Sequence, residues 1–310
     1  MAQNNVVCLM GPTASGKTDL ALELAGKLPV DLVSVDSALV YRGMDIGTAK
    51  PDPETLRRTP HRLIDIREPE DSYSAGDFVR DARREIEAIH RQGRVPLLVG
   101  GTMMYFRVLT DGMADLPEAD PAIRSAIDAE AKLRGWPALH AQLAKVDADA
   151  AVRIEPNDSQ RIQRALEVFR LSGKPISHWQ AAAGEADGNR YLRIALVPAS
   201  RPLLHERIAR RLEGMLARGF VDEVRQLKAR PGLTAGHSSM RAVGYRQIWS
   251  HLDGKDSLDS AIDKTQAATR QLAKRQLTWL RSDPGAMQVE PLESACLDAI
   301  SAHVRAWLER

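Results

Sequence analysis

The strongest chemical signal in the chain lies near its amino terminus. Gly11-Pro12-Thr13-Ala14-Ser15-Gly16-Lys17-Thr18 fits the pattern GxxxxGK[ST], with an apolar run before it and a helix-length segment after it. Glycines let successive backbone N–H groups turn toward one anion, and the following helix adds the positive end of its dipole. Lys17 brings a point charge to the terminal phosphate, and Thr18 brings a hydroxyl able to ligand Mg2+. The pattern specifies a diphosphate and leaves open which molecule carries it. A hydrolase of this kind would place an acidic residue at the end of a later apolar strand. The candidate strand here, Val95-Pro96-Leu97-Leu98-Val99, runs instead into Gly100-Gly101-Thr102, which favours group transfer over hydrolysis.

A carboxylate stands at the corresponding place on another strand. Leu32-Val33-Ser34-Val35-Asp36-Ser37 puts Asp36 just past a strand's carboxyl end, the edge at which open α/β sheets bind ligands. A carboxylate facing a bound anion requires a cation or a proton donor between them. Asp36 therefore either orders Mg2+ or accepts a hydrogen bond and proton from an incoming nucleophile. The alternative is a plain cap, since Asp-Ser is good capping chemistry.

The elements that must hold these groups follow from periodicity. Short apolar runs at 6–10, 32–35, 63–66 and 95–99 alternate with amphipathic segments at 19–28 and 75–92, which predicts a parallel sheet covered on both faces. A further strand is expected at 193–197. Between 115 and 188 no strand pattern appears. Helices are expected at 121–133, 137–145 and 159–171, the last capped by Asn157 or Asp158 and ended by Gly173 and Pro175. The expected fold class is α/β: a P-loop NTPase-like parallel core from 1–114 and 191–310, with a helical insertion at 115–190 and a small-residue linker at 181–189. After Pro198 the chain reads as mostly helical to its end, with long members at 201–218 and 261–281.

Composition narrows the function classes. Of the 310 residues 44% are apolar, enough for a sizeable core. No run approaches the roughly 20 apolar residues that span a bilayer, and no leader pattern opens the chain. Cys8 and Cys296 are the two cysteines, without CxxC spacing, so neither a zinc site nor a disulfide framework is expected and a cytoplasmic location is. The net charge of +2 conceals an asymmetry: residues 201–281 hold 16 Lys/Arg against 8 Asp/Glu. That basic third points to a polyanionic partner, or to a solvated helical surface. Arg270, Lys274 and Arg281 are spaced to share one helix face toward such a partner. Trp136, Trp179, Trp249 and Trp279 are expected to pack helices, and His61, His140 and His205 lack partners at ligand spacing.

Longer blocks carry a resemblance. Asp36-Ser37-Ala38-Leu39-Val40-Tyr41-Arg42-Gly43-Met44-Asp45-Ile46-Gly47-Thr48-Ala49-Lys50-Pro51 is followed by Gly100-Gly101-Thr102-Met103-Met104-Tyr105. Next come Asn157-Asp158-Ser159-Gln160-Arg161-Ile162-Gln163-Arg164-Ala165-Leu166-Glu167 and Arg241-Ala242-Val243-Gly244-Tyr245-Arg246. The last block is Thr269-Arg270-Gln271-Leu272-Ala273-Lys274-Arg275-Gln276-Leu277-Thr278-Trp279-Leu280-Arg281. With the phosphate loop, these span nearly the whole chain in order, and the chain closely resembles the bacterial tRNA dimethylallyltransferases.

The resemblance implies that a dimethylallyl group passes from its diphosphate to N6 of the adenosine 3′ of the anticodon, with Mg2+ assisting. It implies that Asp36 takes the hydrogen bond and proton of the amine and that Thr102 contacts the reacting groups. Arg211 would join Lys17 on the diphosphate. The anticodon stem-loop would touch Asp36, Ser37, Ala38 and Leu39, Gln160 through Arg164, and Arg241 through Arg246. A monomer is expected, with no membrane association. Prenylation of free adenine nucleotides is the nearest rival; a small-molecule kinase and a binding module with a vestigial loop are the others.

Overall fold

The computed structural model describes residues 4–114, 116–181, 188–291 and 296–309. The chain divides into two compact units, one of residues 1–110 with 188–310 and one of residues 111–187.

In the first unit, β1 (Asn5–Met10), β2 (Val30–Val35), β3 (His61–Arg62), β4 (Val95–Gly100), β5 (Arg190–Leu196) and β6 (Met287–Val289) form one sheet in the order β3-β2-β4-β1-β5-β6, parallel at every pairing. β1 and β4 are buried at every residue, which explains their unbroken apolar runs. Their side chains divide by period two. Val6, Cys8 and Met10 join one core with Val35, Leu98 and Phe78, while Val7 and Leu9 join the other with Leu97, Leu24 and Ile300.

Helices α1 (Lys17–Lys27), α2 (Pro53–Arg58), α3 (Ala75–Arg91) and α4 (Met103–Thr110) belong to the amino-terminal part of this unit. α3 starts at a capping box between Ser74 and Asp77 and packs Phe78, Ala82, Ile86 and Ile89 inward.

The second unit is helical: α5 (Pro121–Arg134), α6 (Trp136–Val146), α7 (Ala148–Arg153), α8 (Ser159–Ser172) and α9 (Ile176–Ala181). Ile127, Leu139, Leu143, Ile162 and Leu166 make its core. Asp158 caps α8 by accepting from the Arg161 N–H at 3.2 Å, and Gly173 ends it in the left-handed conformation. The short helices α7 and α9 escape a periodicity reading because each is barely longer than one turn. Position 115 and most of the 181–189 linker lie outside the described residues.

The first unit resumes with β5, α10 (Arg201–Ala217), α11 (Phe220–Lys228), α12 (Tyr245–Leu252), α13 (Leu258–Arg281), β6 and α14 (Cys296–Leu308). One expectation needs correction. The 63–66 run is a turn: only His61 and Arg62 pair with β2, and Leu63 and Asp65 take positive φ of 63° and 56°. Backbone N–H groups of Asp65, Ile66 and Arg67 donate to Leu39 and Val40 carbonyls, so the run lines the loop after β2. The stretch after Pro198 is mostly helical, as expected, and β6 is an added strand that extends the sheet beside β5. Three residues are too few for a period-two pattern to show.

Because the sheet is parallel, all strand carboxyl ends share one edge, and β4 lies between β1 and β2. The close β2–β4 approach requires glycine at 100: a Cβ there would lie 1.9 Å from the Val35 carbonyl oxygen. No helix among the described residues is long and apolar enough to cross a membrane.

Candidate active site

Three loops leave that edge side by side. The 11–18 loop follows β1, the Gly101-Thr102 turn follows β4, and Asp36-Ser37 follows β2. Backbone bonds stitch them together: the Gly11 N–H donates to the Gly100 carbonyl at 3.2 Å, and the Thr102 N–H to the Val35 carbonyl at 3.3 Å. The Thr102 hydroxyl accepts from the Ser37 N–H at 3.1 Å. Asp36 Oδ1 accepts from the N–H groups of Ala38 at 2.8 Å and Leu39 at 3.4 Å, which turns the chain and fixes the carboxylate. Oδ1 thus makes the turn, and the other oxygen takes no part in it.

Two cations share the site with this carboxylate. Lys17, in the first turn of α1, donates to the Pro12 carbonyl at 3.3 Å. Burial, with the Arg211 guanidinium nearby, lowers its pKa to about 8, against the pull of Asp36 in the other direction. Arg211 reaches in from α10; burial lowers its pKa as well, and Asp36 opposes the shift. Its Nη2 donates to the Thr48 carbonyl at 3.0 Å. Two cations crowded into a half-buried space carry an electrostatic cost that a bound polyanion relieves. Arg207, one turn earlier on α10, also lies against Gly16 of the loop.

The loop that offers Thr48 to Arg211 is itself held from below. The Glu223 carboxylate on α11 accepts from the N–H groups of Asp45, Ile46 and Gly47 at 2.9, 2.6 and 3.1 Å, and from the Tyr245 hydroxyl at 2.5 Å. Glycine is required at 47, since a Cβ would sit 2.1 Å from the Phe220 ring. Sequence reasoning missed Glu223, and it missed Gln276 of α13, which bonds Thr13 and Gly101. The signal existed: each is a polar residue on an apolar stripe, 220–223–224–227 in one helix and 273–276–277–280 in the other.

The residues expected to meet RNA divide in two. Arg241 and Arg246 are exposed at either end of the turn into α12, and Lys274 and Arg281 are exposed on α13 with Arg270 half-buried. Gln160 and Arg161 are exposed on α8 in the second unit. Others are withdrawn as side-chain contacts. Tyr245 is fully buried and spends its hydroxyl on Glu223, and Gly244 lies buried against Phe220. Ile162 is in the core of the second unit. Arg164 bonds Glu167 and the Pro117 carbonyl, and Gln163 bonds Asp128. Ala242 and Val243 are half-buried beside the exposed arginines. Of the tryptophans expected to pack, Trp249 is buried, but Trp279 is 41% exposed, with the Arg107 guanidinium 5.5 Å from its ring centre.

No group of three or more His, Cys, Asp or Glu capable of holding a metal occurs among the described residues. Mg2+ needs no such group, since it binds through one or two protein oxygens and completes its shell with phosphate oxygens and water. The Thr18 hydroxyl and the Asp36 carboxylate are the protein oxygens at hand.

Comparison with known proteins bears on the family of the chain. A family profile described as IPP transferase matches residues 39–283. The tRNA dimethylallyltransferase of Paraburkholderia phymatum is 57% identical over 293 residues, which cover 93% of this chain and 92% of that protein. Among solved structures, the tRNA isopentenylpyrophosphate transferase of Bacillus halodurans superposes with a TM-score of 0.73 at 36% identity, covering 99% of this chain and 97% of that one. A eukaryotic dimethylallyltransferase captured acting on tRNA gives 0.81 at 26% identity, over 98% of this chain and 77% of its own. These matches, on a parallel P-loop core, show that the chain belongs to the IPP transferase family, among the tRNA dimethylallyltransferases.

Proposed function

We propose that this protein transfers the dimethylallyl group of dimethylallyl diphosphate to N6 of the adenosine 3′-adjacent to the anticodon in tRNA, releasing diphosphate. The observation that carries the reading is the order of loops along one sheet edge: a cationic phosphate loop, then Thr102, then Asp36. The diphosphate rests on the 11–18 loop under Lys17 and Arg211. The acceptor amine comes from the Asp36 side. The allylic carbon lies between, beside Thr102.

The exocyclic amine of adenine is a poor nucleophile, because its lone pair is delocalised into the ring. Asp36 accepts one N6 hydrogen and localises that pair. The N6–C1 bond then forms as the C1–O bond breaks. The bonding pair leaves on the diphosphate, and the proton passes to Asp36. Loop N–H groups, Lys17 and Arg211 meet the negative charge where it builds. Thr18 would hold Mg2+, which when bound neutralises further charge on the leaving group. A stacked loop base must leave its neighbours to reach such a pocket. The exposed Arg241, Arg246, Lys274 and Arg281 of the first unit are offered to the RNA backbone, and so, on the second unit by itself, are Gln160 and Arg161. Action on tRNA by a single chain in the cytoplasm completes the reading.

Mass spectrometry of an anticodon stem-loop after incubation with dimethylallyl diphosphate tests it. One added prenyl group on the expected adenosine supports the proposal. Prenylation of AMP with an untouched stem-loop would replace it with the free-nucleotide reaction.

A further inference from the structure

We propose that Gln276 is a positioning residue for transfer, its side-chain amide holding the diphosphate loop and the Thr102 turn at a set separation. The proposal rests on the functional reading above. Gln276 projects from α13 into the sheet edge and is 8% exposed. Its Oε1 accepts from the Thr13 N–H at 2.9 Å, and its Nε2 donates to the Gly101 carbonyl at 2.7 Å. One step earlier the same two segments are joined directly, Gly11 N–H to Gly100 carbonyl. Beyond that bond the loop diverges from the turn, and the amide fills the gap as an inserted peptide unit would. Only an amide presents donor and acceptor together in this way, and asparagine is one methylene too short.

The neighbours of Gln276 act in the same direction. Ala273 and Leu277, beside it on α13, form a small apolar cluster with Leu204 and Ile208 of α10, and Ala14 of the loop packs on it. Ala14 has φ of 62°, a left-handed conformation that persists in a non-glycine residue only when its surroundings hold it. The helix therefore grips the loop twice, by packing at Ala14 and by hydrogen bonding at Thr13. It grips the Thr102 turn once, at Gly101. The two ends of the reacting geometry, diphosphate and allylic carbon, are thereby referred to one side chain. A misplacement near 1 Å between such groups costs on the order of a hundredfold in rate.

Gln276→Met keeps the length and removes both bonds. Single-turnover transfer at saturating tRNA and dimethylallyl diphosphate should slow by about ten- to a hundredfold, and diphosphate affinity, measured calorimetrically, should weaken at least about fivefold as the loop loses its preorganisation. Stem-loop affinity should stay near that of the parent, and the melt should stay cooperative but fall somewhat, since the buried Gly101 carbonyl loses its donor. A purely structural role would lower the melt and leave the saturating rate alone. Gln276→Glu keeps the acceptor for Thr13 and loses the donor to Gly101, and it should also slow transfer about tenfold or more. A saturating rate within twofold of the parent, in whichever variant melts cooperatively, overturns the proposal. A parent protein that binds diphosphate but never prenylates the stem-loop would remove the functional reading instead, and the diphosphate affinity of Gln276→Met would still test the clamp.

Discussion

In the proposed reaction Lys17 acts on the bond that breaks and Asp36 on the bond that forms, so their substitutions should differ in kind. Lys17→Ala removes the ammonium that faces the leaving group, a loss on the order of 3 kcal/mol, or about a hundredfold in rate, with weakened diphosphate affinity. Transfer within a few-fold of the parent would unseat the loop as donor site. The lowered pKa of Lys17, about 8, adds a pH dependence with a definite sign. Diphosphate binds the protonated form, so affinity is fully present below pH 8 and declines above it, by about tenfold per unit at most. A calorimetric pH series reads this, and Lys17→Ala should flatten it. Asp36→Asn keeps the size and the Oδ1 turn but loses the basicity. Donor and tRNA affinity should be near normal while the chemical step slows by about a hundred- to ten-thousandfold, seen in single turnover. Recovery of the variant as Mg2+ is raised would make Asp36 a metal ligand and not the base.

At the scale of elements, the loop between β2 and α2 is the part that most needs outside support, since it carries Thr48 to Arg211 without a strand or helix of its own. Glu223 and Tyr245 supply that support. Tyr245→Phe keeps the ring packed against Phe220 and removes one hydrogen bond to a buried carboxylate. It should cost about 1–3 kcal/mol in melting stability and weaken diphosphate binding through Arg211, with stem-loop affinity unaltered. Loss of RNA affinity with an intact donor site would return Tyr245 to the RNA surface. Gly100→Ala tests the sheet edge itself. A methyl 1.9 Å from the Val35 carbonyl must push β2 away from β4, parting Asp36 from Thr102. Overpacking of this kind costs about 1–3 kcal/mol, and here the rate should fall further than the melting temperature suggests.

For the whole molecule the open quantity is how a protein of net charge +2 holds a polyanion. The excess of positive charge in residues 201–281 is not spread evenly: Arg230 is spent on Glu68 and Glu70, and Lys228 on Asp253. Arg241→Ala and Lys274→Ala remove exposed charges and should each lower the slope of log K against log salt by roughly one unit, leaving diphosphate affinity alone. Arg161→Ala asks the same of the second unit, and a like change of slope there would place that unit on the RNA. Unchanged slopes in all three variants would make the basic third a solvated face.

The phosphate loop and the carboxylate after β2 were legible in the sequence because they depend on residues close together in the chain. The turn of the 11–18 loop, the charge of Lys17 and the place of Asp36 after β2 are local properties, written by glycine spacing, strand period and capping chemistry. The apolar runs likewise announced β1, β2, β4 and β5, since strands buried on both faces tolerate little else. What depends on long-range pairing was not legible. The 63–66 run looks like a strand, yet it folds as a turn because its backbone finds partners at Leu39 and Val40. Tyr245 lies in a motif that reads as RNA-binding, yet its side chain faces Glu223 across the α11–α12 contact. Gln276 follows Thr13 by 263 positions, and the bond between them exists only because α13 packs beneath the loop. A side chain's type is a property of the sequence; which group it meets is decided by the fold that brings distant segments into contact.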